Sequence, residues 1–367
     1  MNWKLFMCLQ VLAGGVTVLS TPVLASCDDW TSHNFVRSAT AAEVELCLSQ
    51  RDDIETHDKF GYTALQSAAS AGNTEVVKLL LAHGASAQTG AVASPSATAL
   101  HFAASPRGNA EVVQELIAAG AGVNVIAGRH KYTALHLAVQ ARNLGVIRAL
   151  LENGAVFTGD HEGLTPLHWA FAHGRFYGGG EKARKIAEEL IKFGADPYAV
   201  TPKGWNPLHY AVRNNAFDAI PVFAPFGDLA EKANSDGMTP VELAAHWASG
   251  ETMAALIAIG ASVSGRDANG NSLLHMAAEA ENHLMIDFLA AFPDLLDGTN
   301  NQGMTPLHVA AKNGADEVLW RLLDAGADHN LVDQTGQTAW DYVRDHRRMR
   351  NKPAYWRLLD LDRMGSD

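Results

Sequence analysis

The amino-acid sequence predicts an all-α solenoid: helix–turn–helix units stacked in a row and joined by short β-hairpin or loop fingers. Three observations carry this. A Thr-led motif recurs nine times, its spacing settles at 33 residues, and a Gly-Ala pair follows most copies by about 21 residues. A chain of 367 residues is long for one globular core, but stacked units share an apolar spine that grows with their number. Hydrophobic residues at 47% and charged residues at 19% make a globular composition.

The first copies are Gly61-Tyr62-Thr63-Ala64-Leu65, Thr98-Ala99-Leu100-His101, Thr133-Ala134-Leu135-His136 and Gly163-Leu164-Thr165-Pro166-Leu167-His168. They continue as Gly204-Trp205-Asn206-Pro207-Leu208-His209, Gly237-Met238-Thr239-Pro240-Val241, Gly270-Asn271-Ser272-Leu273-Leu274-His275, Gly303-Met304-Thr305-Pro306-Leu307-His308 and Gly336-Gln337-Thr338-Ala339-Trp340. The Thr-type positions are separated by 35, 35, 32, 41, 33, 33, 33 and 33 residues. Gly-Ala begins at Gly84, Gly120, Gly154, Gly194, Gly260 and Gly326.

Each position has a physical task. Thr caps the free N–H groups of a helix start, and Pro at the next position lacks an N–H that would go unused there. Leu and the Ala-Ala pairs Ala68-Ala69, Ala103-Ala104, Ala277-Ala278 and Ala310-Ala311 form a narrow face that lets helices approach closely. A second helix is apolar at helical spacing, as in Val76-Val77 with Leu79-Leu80 or Val112-Val113 with Leu116-Ile117. Gly then ends it in a left-handed conformation. A turn such as Asp267-Ala268-Asn269-Gly270 returns the chain to the next Thr.

This unit resembles the ankyrin repeat, whose T-P-L-H motif, two helices, Gly-Ala and hairpin fill 33 residues, and the resemblance covers roughly residues 28–345. It implies a non-catalytic scaffold that binds a partner protein through a concave surface. The chain divides into residues 1–25, a leader; 26–60, a degenerate capping unit; 61–335, an array of about eight repeats with an insertion near 175–184; and 336–367, a capping repeat and tail.

Residues 1–25 read as an export signal. Lys4 is the positive region, Leu5 to Leu19 is apolar, and Val23-Leu24-Ala25 has the residue sizes of a cleavage site. The competing reading, an uncleaved membrane helix, meets a run that is short for a bilayer, carries Gly14-Gly15 and ends in Pro22. No later stretch is suited to span a membrane. The expectation is an exported bacterial type of ankyrin protein, periplasmic or secreted. Cys27 and Cys47 then remain in the mature chain. The repeat reading sets them on one antiparallel helical hairpin, which favours a disulfide. The rival is lipidation of Cys27, since Leu24-Ala25-Ser26-Cys27 also resembles a lipobox.

Departures from the pattern mark irregular units. Ser96 and Lys131 stand where the motif Gly is expected, and Pro95 with the small residues of Ala85–Ala97 predicts a lengthened finger. About eight extra residues surround Arg175-Phe176-Tyr177-Gly178-Gly179-Gly180-Glu181, as a flexible loop or a partner-contacting flap. Pro293 takes the Gly place in the seventh unit and should distort that turn.

Patterns that carry chemistry are sparse in the sequence. Of 16 histidines, His101, His136, His168, His209, His275 and His308 are motif positions, which the resemblance implies hydrogen-bond within and between repeats. The metal reading fails for these six because successive copies lie about 10 Å apart, against ligand distances of about 2 Å. Three cysteines exclude a four-cysteine zinc site, no G-x-S-x-G elbow occurs, and Gly174–Gly180 lacks the Lys-Ser/Thr of a phosphate loop. No enzyme, cofactor or metal is expected, and a hidden catalytic or metal site in the irregular units is the remote alternative. A formal charge of −12 argues against nucleic acid as partner.

The partner is therefore an unidentified protein, met by a monomer. By the resemblance its surface is made of finger tips and the exposed side of first helices. Phe60, Tyr62, Tyr132, Trp205, Met238 and Met304 fall at the tips; Ala172, His173, Arg213, Asn214, His246 and Trp247 fall on the helices. Aromatics and Arg are the types that carry interface energy; the bland alternative is packing against the next repeat. A narrower reading makes the partner a periplasmic or secreted enzyme that this protein inhibits or protects. Thr133, Thr165 and Thr305 with the motif histidines are structural. The basic run Arg344 to Lys352 reads as a solvated cap face, or a site for an acidic partner or membrane surface.

Overall fold

The computed structural model describes residues 27, 30–50, 53–92, 96–172 and 180–364. The leader, Pro95, His173, the first part of the insertion at 175–179 and the last three residues lie outside the described residues.

Helices run in pairs. His33–Ser38 with Ala41–Leu48 comes first, then Ala64–Ala71 with Thr74–Ala82, Ala99–Ala103 with Ala110–Ala118, and Ala134–Gln140 with Leu144–Glu152. Next are Pro166–Ala172 with Glu181–Lys192, Pro207–Arg213 with the 3-10 segment Phe217–Glu231, and Pro240–Trp247 with Gly250–Ala258. Leu273–Glu279 with His283–Leu289, Pro306–Asn313 with Asp316–Asp324, and Ala339–Arg344 with Pro353–Met364 complete the series. First helices pack on first helices and second helices on second helices from one end to the other. This is a helical ankyrin-repeat solenoid. The fingers are turns: single antiparallel bridges join His57 to Thr63, Ala127 to Tyr132 and Arg266 to Ser272, and no strand forms among the described residues.

The packing follows from residue size. The paired alanines Ala68-Ala69, Ala277-Ala278 and Ala310-Ala311 are fully buried, so first helices meet with almost no side chain between them. The second helices supply volume through Val76, Val77 and Leu80, Ile147 and Leu150, or Leu319 and Leu322, all fully buried. Truncating one such Leu costs about 2–5 kcal/mol. In the fifth full repeat Pro221 and Pro225 deny two backbone donors, and the second helix becomes a 3-10 segment broken at Phe226. It still buries Ile220, Phe223 and Leu229.

Two substitutions at Gly positions resolve differently. Lys131 adopts the left-handed conformation itself, with φ 57° against 82° at Gly61. Pro293, which cannot follow Gly there, opens the extra helix Pro293–Leu296. At the other end Cys27 is bonded to Cys47, with 5.3 Å between Cα atoms, the first of the two readings for that sulfur. No helix among the described residues is long and apolar enough to cross a membrane.

Candidate protein-interaction face

The seam between repeats must be separated from the free face, because both are lined by the same residue types. The Thr133 N–H donates to His136 Nδ1 at 3.3 Å, and His136 Nε2 reaches the Leu164 carbonyl of the next repeat at 3.1 Å. A carbonyl needs a donor, so the ring is the Nε2–H tautomer. Thr165–His168 repeats this onto Trp205, Asn206–His209 onto Met238, Ser272–His275 onto Met304, and Thr305–His308 onto Gln337. Thr98–His101 reaches Val125 instead, ahead of its longer finger. Where the first copy lacks His, Gln66 accepts from the Thr63 N–H and donates to the Thr89 carbonyl. Burial depresses the pKa of every motif His, to about 4 for His168 and His209, so the rings stay neutral.

A second column lies outside the Thr-led motif. Asn73, Asn109, Asn143 and Asn282 each cap their own second helix through Oδ1. Their amide groups reach back to the preceding repeat: Asn143 to the Ser105 and Gly108 carbonyls, Asn282 to those of Ala245 and Ala248. The signal was present as Asn ten or eleven residues after the motif Thr.

The finger turns are likewise built on one residue each. Asp58, Asp160, Asn234, Asp267, Asn300 and Asp333 accept the N–H groups two and four residues on. Burial raises the Asp333 pKa, but hydrogen bonds from Thr335, Tyr342 and the Gln337 N–H more than offset it, and the carboxyl sits well below its ordinary value.

The tip and helix residues then sort by environment. Phe60 is open to solvent at 64% exposure. Tyr62 is half-buried, edge-on to Phe102, and Tyr132 packs edge-on against Trp169 of the next repeat at 4.9 Å. Trp205 is half-buried beneath the Arg213 guanidinium at 5.4 Å and beside Tyr210. Met238 is half-buried. Met304, expected at a tip, is 3% exposed and is corrected to a core residue. Asn214 is spent on the Phe171 and Tyr210 carbonyls, and Ala172 is half-buried. His246 is half-buried and lies 5.2 Å from the Trp247 ring. Burial lowers its pKa in spite of nearby Glu279, Glu242 and Asp267.

Trp247 stands apart at 59% exposure. The same place holds Ala71, Ala141, Asn214, Ala280 and Asn313 in five of the eight other repeats, and Pro106, His173 and His346 in the remaining three. Helices Pro207–Arg213 and Pro240–Trp247 pack side by side, so Arg213 with Trp205 and His246 with Trp247 occupy adjoining repeats of one face. Arg344 of the basic run is paired with Asp341 at 2.9 Å. Among the described residues, no group of three or more His, Cys, Asp or Glu side chains is placed to hold a metal ion.

Known proteins similar to this chain include two from yeasts. Palmitoyltransferase AKR1 of Lachancea kluyveri is 26% identical over 229 residues, 60% of this chain and 26% of that protein. The probable 26S proteasome regulatory subunit p28 of Saccharomyces cerevisiae is 26% identical over 213 residues, 56% of this chain and 91% of that protein. Among solved structures, the ankyrin repeat domain of Bcl-3 aligns with 60% of this chain and 97% of its own at 24% identity and a TM-score of 0.49. The chain thus spans about a quarter of the first of these curated relatives. These relatives, like Rabankyrin-5 of Homo sapiens, 38% identical over 85 residues, 23% of this chain and 7% of that protein, are eukaryotic, and this overturns the expectation of an exported, periplasmic or secreted chain of bacterial type. The model of the family described as ankyrin repeats (3 copies) matches residues 33–127, 100–178, 180–267 and 248–333, and with the two columns tying repeat to repeat it shows that the chain belongs to the ankyrin-repeat family.

Proposed function

We propose that the chain is a non-catalytic protein-interaction scaffold that takes its partner on the first-helix face of the two adjoining repeats carrying Arg213 and Trp247. The observation that carries this reading is the exposed indole of Trp247, at a position where five other repeats hold Ala or Asn. A large aromatic kept in water gains nothing for the fold, and becomes an anchor when a partner pocket desolvates it. Arg213, on the adjoining helix, is exposed and already oriented by the Trp205 ring. The non-catalytic part of the reading is supported by the motif histidines, whose two nitrogens are both committed to structural hydrogen bonds. The activity named for the palmitoyltransferase relative belongs to that protein.

The test is partner capture from cells by the full chain, repeated with Trp247→Ala and Arg213→Ala. Loss of at least about 2 kcal/mol of binding, near thirtyfold, with an unchanged melting temperature supports the assignment. A partner held equally well by the double variant places the binding surface elsewhere.

A further inference from the structure

His130 and His161 sit on neighbouring fingers and play no part in the seam. Their ring nitrogens face each other, with His130 Nδ1 3.4 Å from His161 Nε2. Two nitrogens bound to one tetrahedral Zn2+ at 2.0–2.1 Å stand about 3.4 Å apart. We propose that these two imidazoles form a chelate for a divalent transition-metal ion of the Zn2+ class, bridging two adjacent fingers.

The pair is held in place by structure around it. The His161 N–H donates to the His130 carbonyl at 3.1 Å, which fixes one finger on the other. The His130 ring stacks on Tyr132 at 5.4 Å and 17°, Tyr132 leans on Trp169, and the Trp169 indole N–H donates to Asp160 at 3.0 Å. The Glu162 carboxylate, 3.6 Å from His161 Nε2, places a negative charge where a cation would sit. Imidazole nitrogen is the ligand type that suits Zn2+ and its neighbours, not Mg2+ or Ca2+. The two side chains fill two coordination positions and leave the rest to water or to a partner's side chain.

The present hydrogen bonds show what the metal replaces. Arg129 Nε–H donates to His130 Nε2 at 2.9 Å, so the His130 proton is on Nδ1 and points at His161. On metal binding that proton moves to Nε2, the metal takes the Nδ1 lone pair, and Arg129 swings into solvent. No oxidation or net proton loss from the neutral pair is required.

The probe is Zn2+ alone, titrated calorimetrically into the full metal-free chain at neutral pH, with thermal melting in parallel. One equivalent is expected to bind and to raise the melting temperature. His161→Gln, on an exposed side chain and safe for the fold, weakens that equivalent at least about tenfold and removes the thermal shift. His130→Gln does the same, and Arg129→Ala binds as tightly or tighter because a competing donor and a positive charge are gone. His83→Gln, a surface histidine paired with Glu45, leaves the titration unchanged. Uptake that is indifferent to His161→Gln, or absent below millimolar free Zn2+, overturns the proposal.

Discussion

The seam between repeats and the face around Trp247 use overlapping residue types to opposite ends. On the seam, His, Asn and Thr recur at near-fixed intervals, and the motif rings are buried, bonded through one nitrogen within their own repeat and through the other to the next. On the face, Trp247 and Arg213 are exposed, and no other repeat places a Trp or an Arg at either position. What repeats is architecture. What breaks the repeat without disturbing the seam is the material from which recognition is made.

Acid separates the two regions most strongly. A motif His whose folded pKa lies below its unfolded value of about 6.5 binds a proton more readily after unfolding, so its stabilisation is complete above that pH and is lost as pH falls. For His168 and His209, at about 4, the window runs from about pH 6.5 down to about pH 4, on the order of 3 kcal/mol each. Denaturant melts across this range should show a steep loss of stability before the carboxylates titrate; a flat profile would mean that the seam rings are not held neutral.

Single seam residues come next. His209→Ala removes a fully buried ring and two hydrogen bonds to backbone and should cost about 2–4 kcal/mol in equilibrium unfolding. A loss under 1 kcal/mol, the size allowed to a surface position, would make the seam energetically indistinguishable from the exposed face. Asn143→Ala deletes one helix cap and the ties to Ser105 and Gly108, for about 1–2 kcal/mol. Hydrogen exchange should show the loss concentrated at the start of helix Leu144–Glu152. The smallest effect has the opposite sign. Lys131→Gly relieves a left-handed non-glycine residue and should stabilise by about 0.5–1 kcal/mol in thermal melts.

Most of the stack was legible in the sequence because capping is local chemistry. Thr before Ala-Leu or Pro-Leu starts a helix wherever it stands, and the glycine after the second helix ends one. Lys131 shows the limit from one side: the lost Gly was visible, but only the tertiary frame reveals that Lys accepts the same backbone conformation. Met304 shows it from the other. It follows the motif Gly as Met238 does, yet it is buried and Met238 is not, and nothing within the two motifs distinguishes them. The Asn column escaped notice because a single Asn before a helix looks like an ordinary cap; its second task requires the preceding repeat's carbonyls. The site was harder still. Trp205 and Trp247 carry equal weight in the sequence, and only the arrangement of Arg213 and Tyr210 over one of them tells a half-sheltered ring from an open one.

The two columns also set how the molecule yields to force. Hairpins such as those of His136 with Asn143 and His275 with Asn282 grip the one ahead through an imidazole and the one behind through an amide, so a load applied along the stack is carried in series, link by link. The Cys27–Cys47 cross-link clasps the amino-terminal hairpin covalently, and no such clasp joins the residues described at the far end. Under load the unclasped repeats should therefore open before the hairpin of Cys27 and Cys47, and opening should travel toward that clasp.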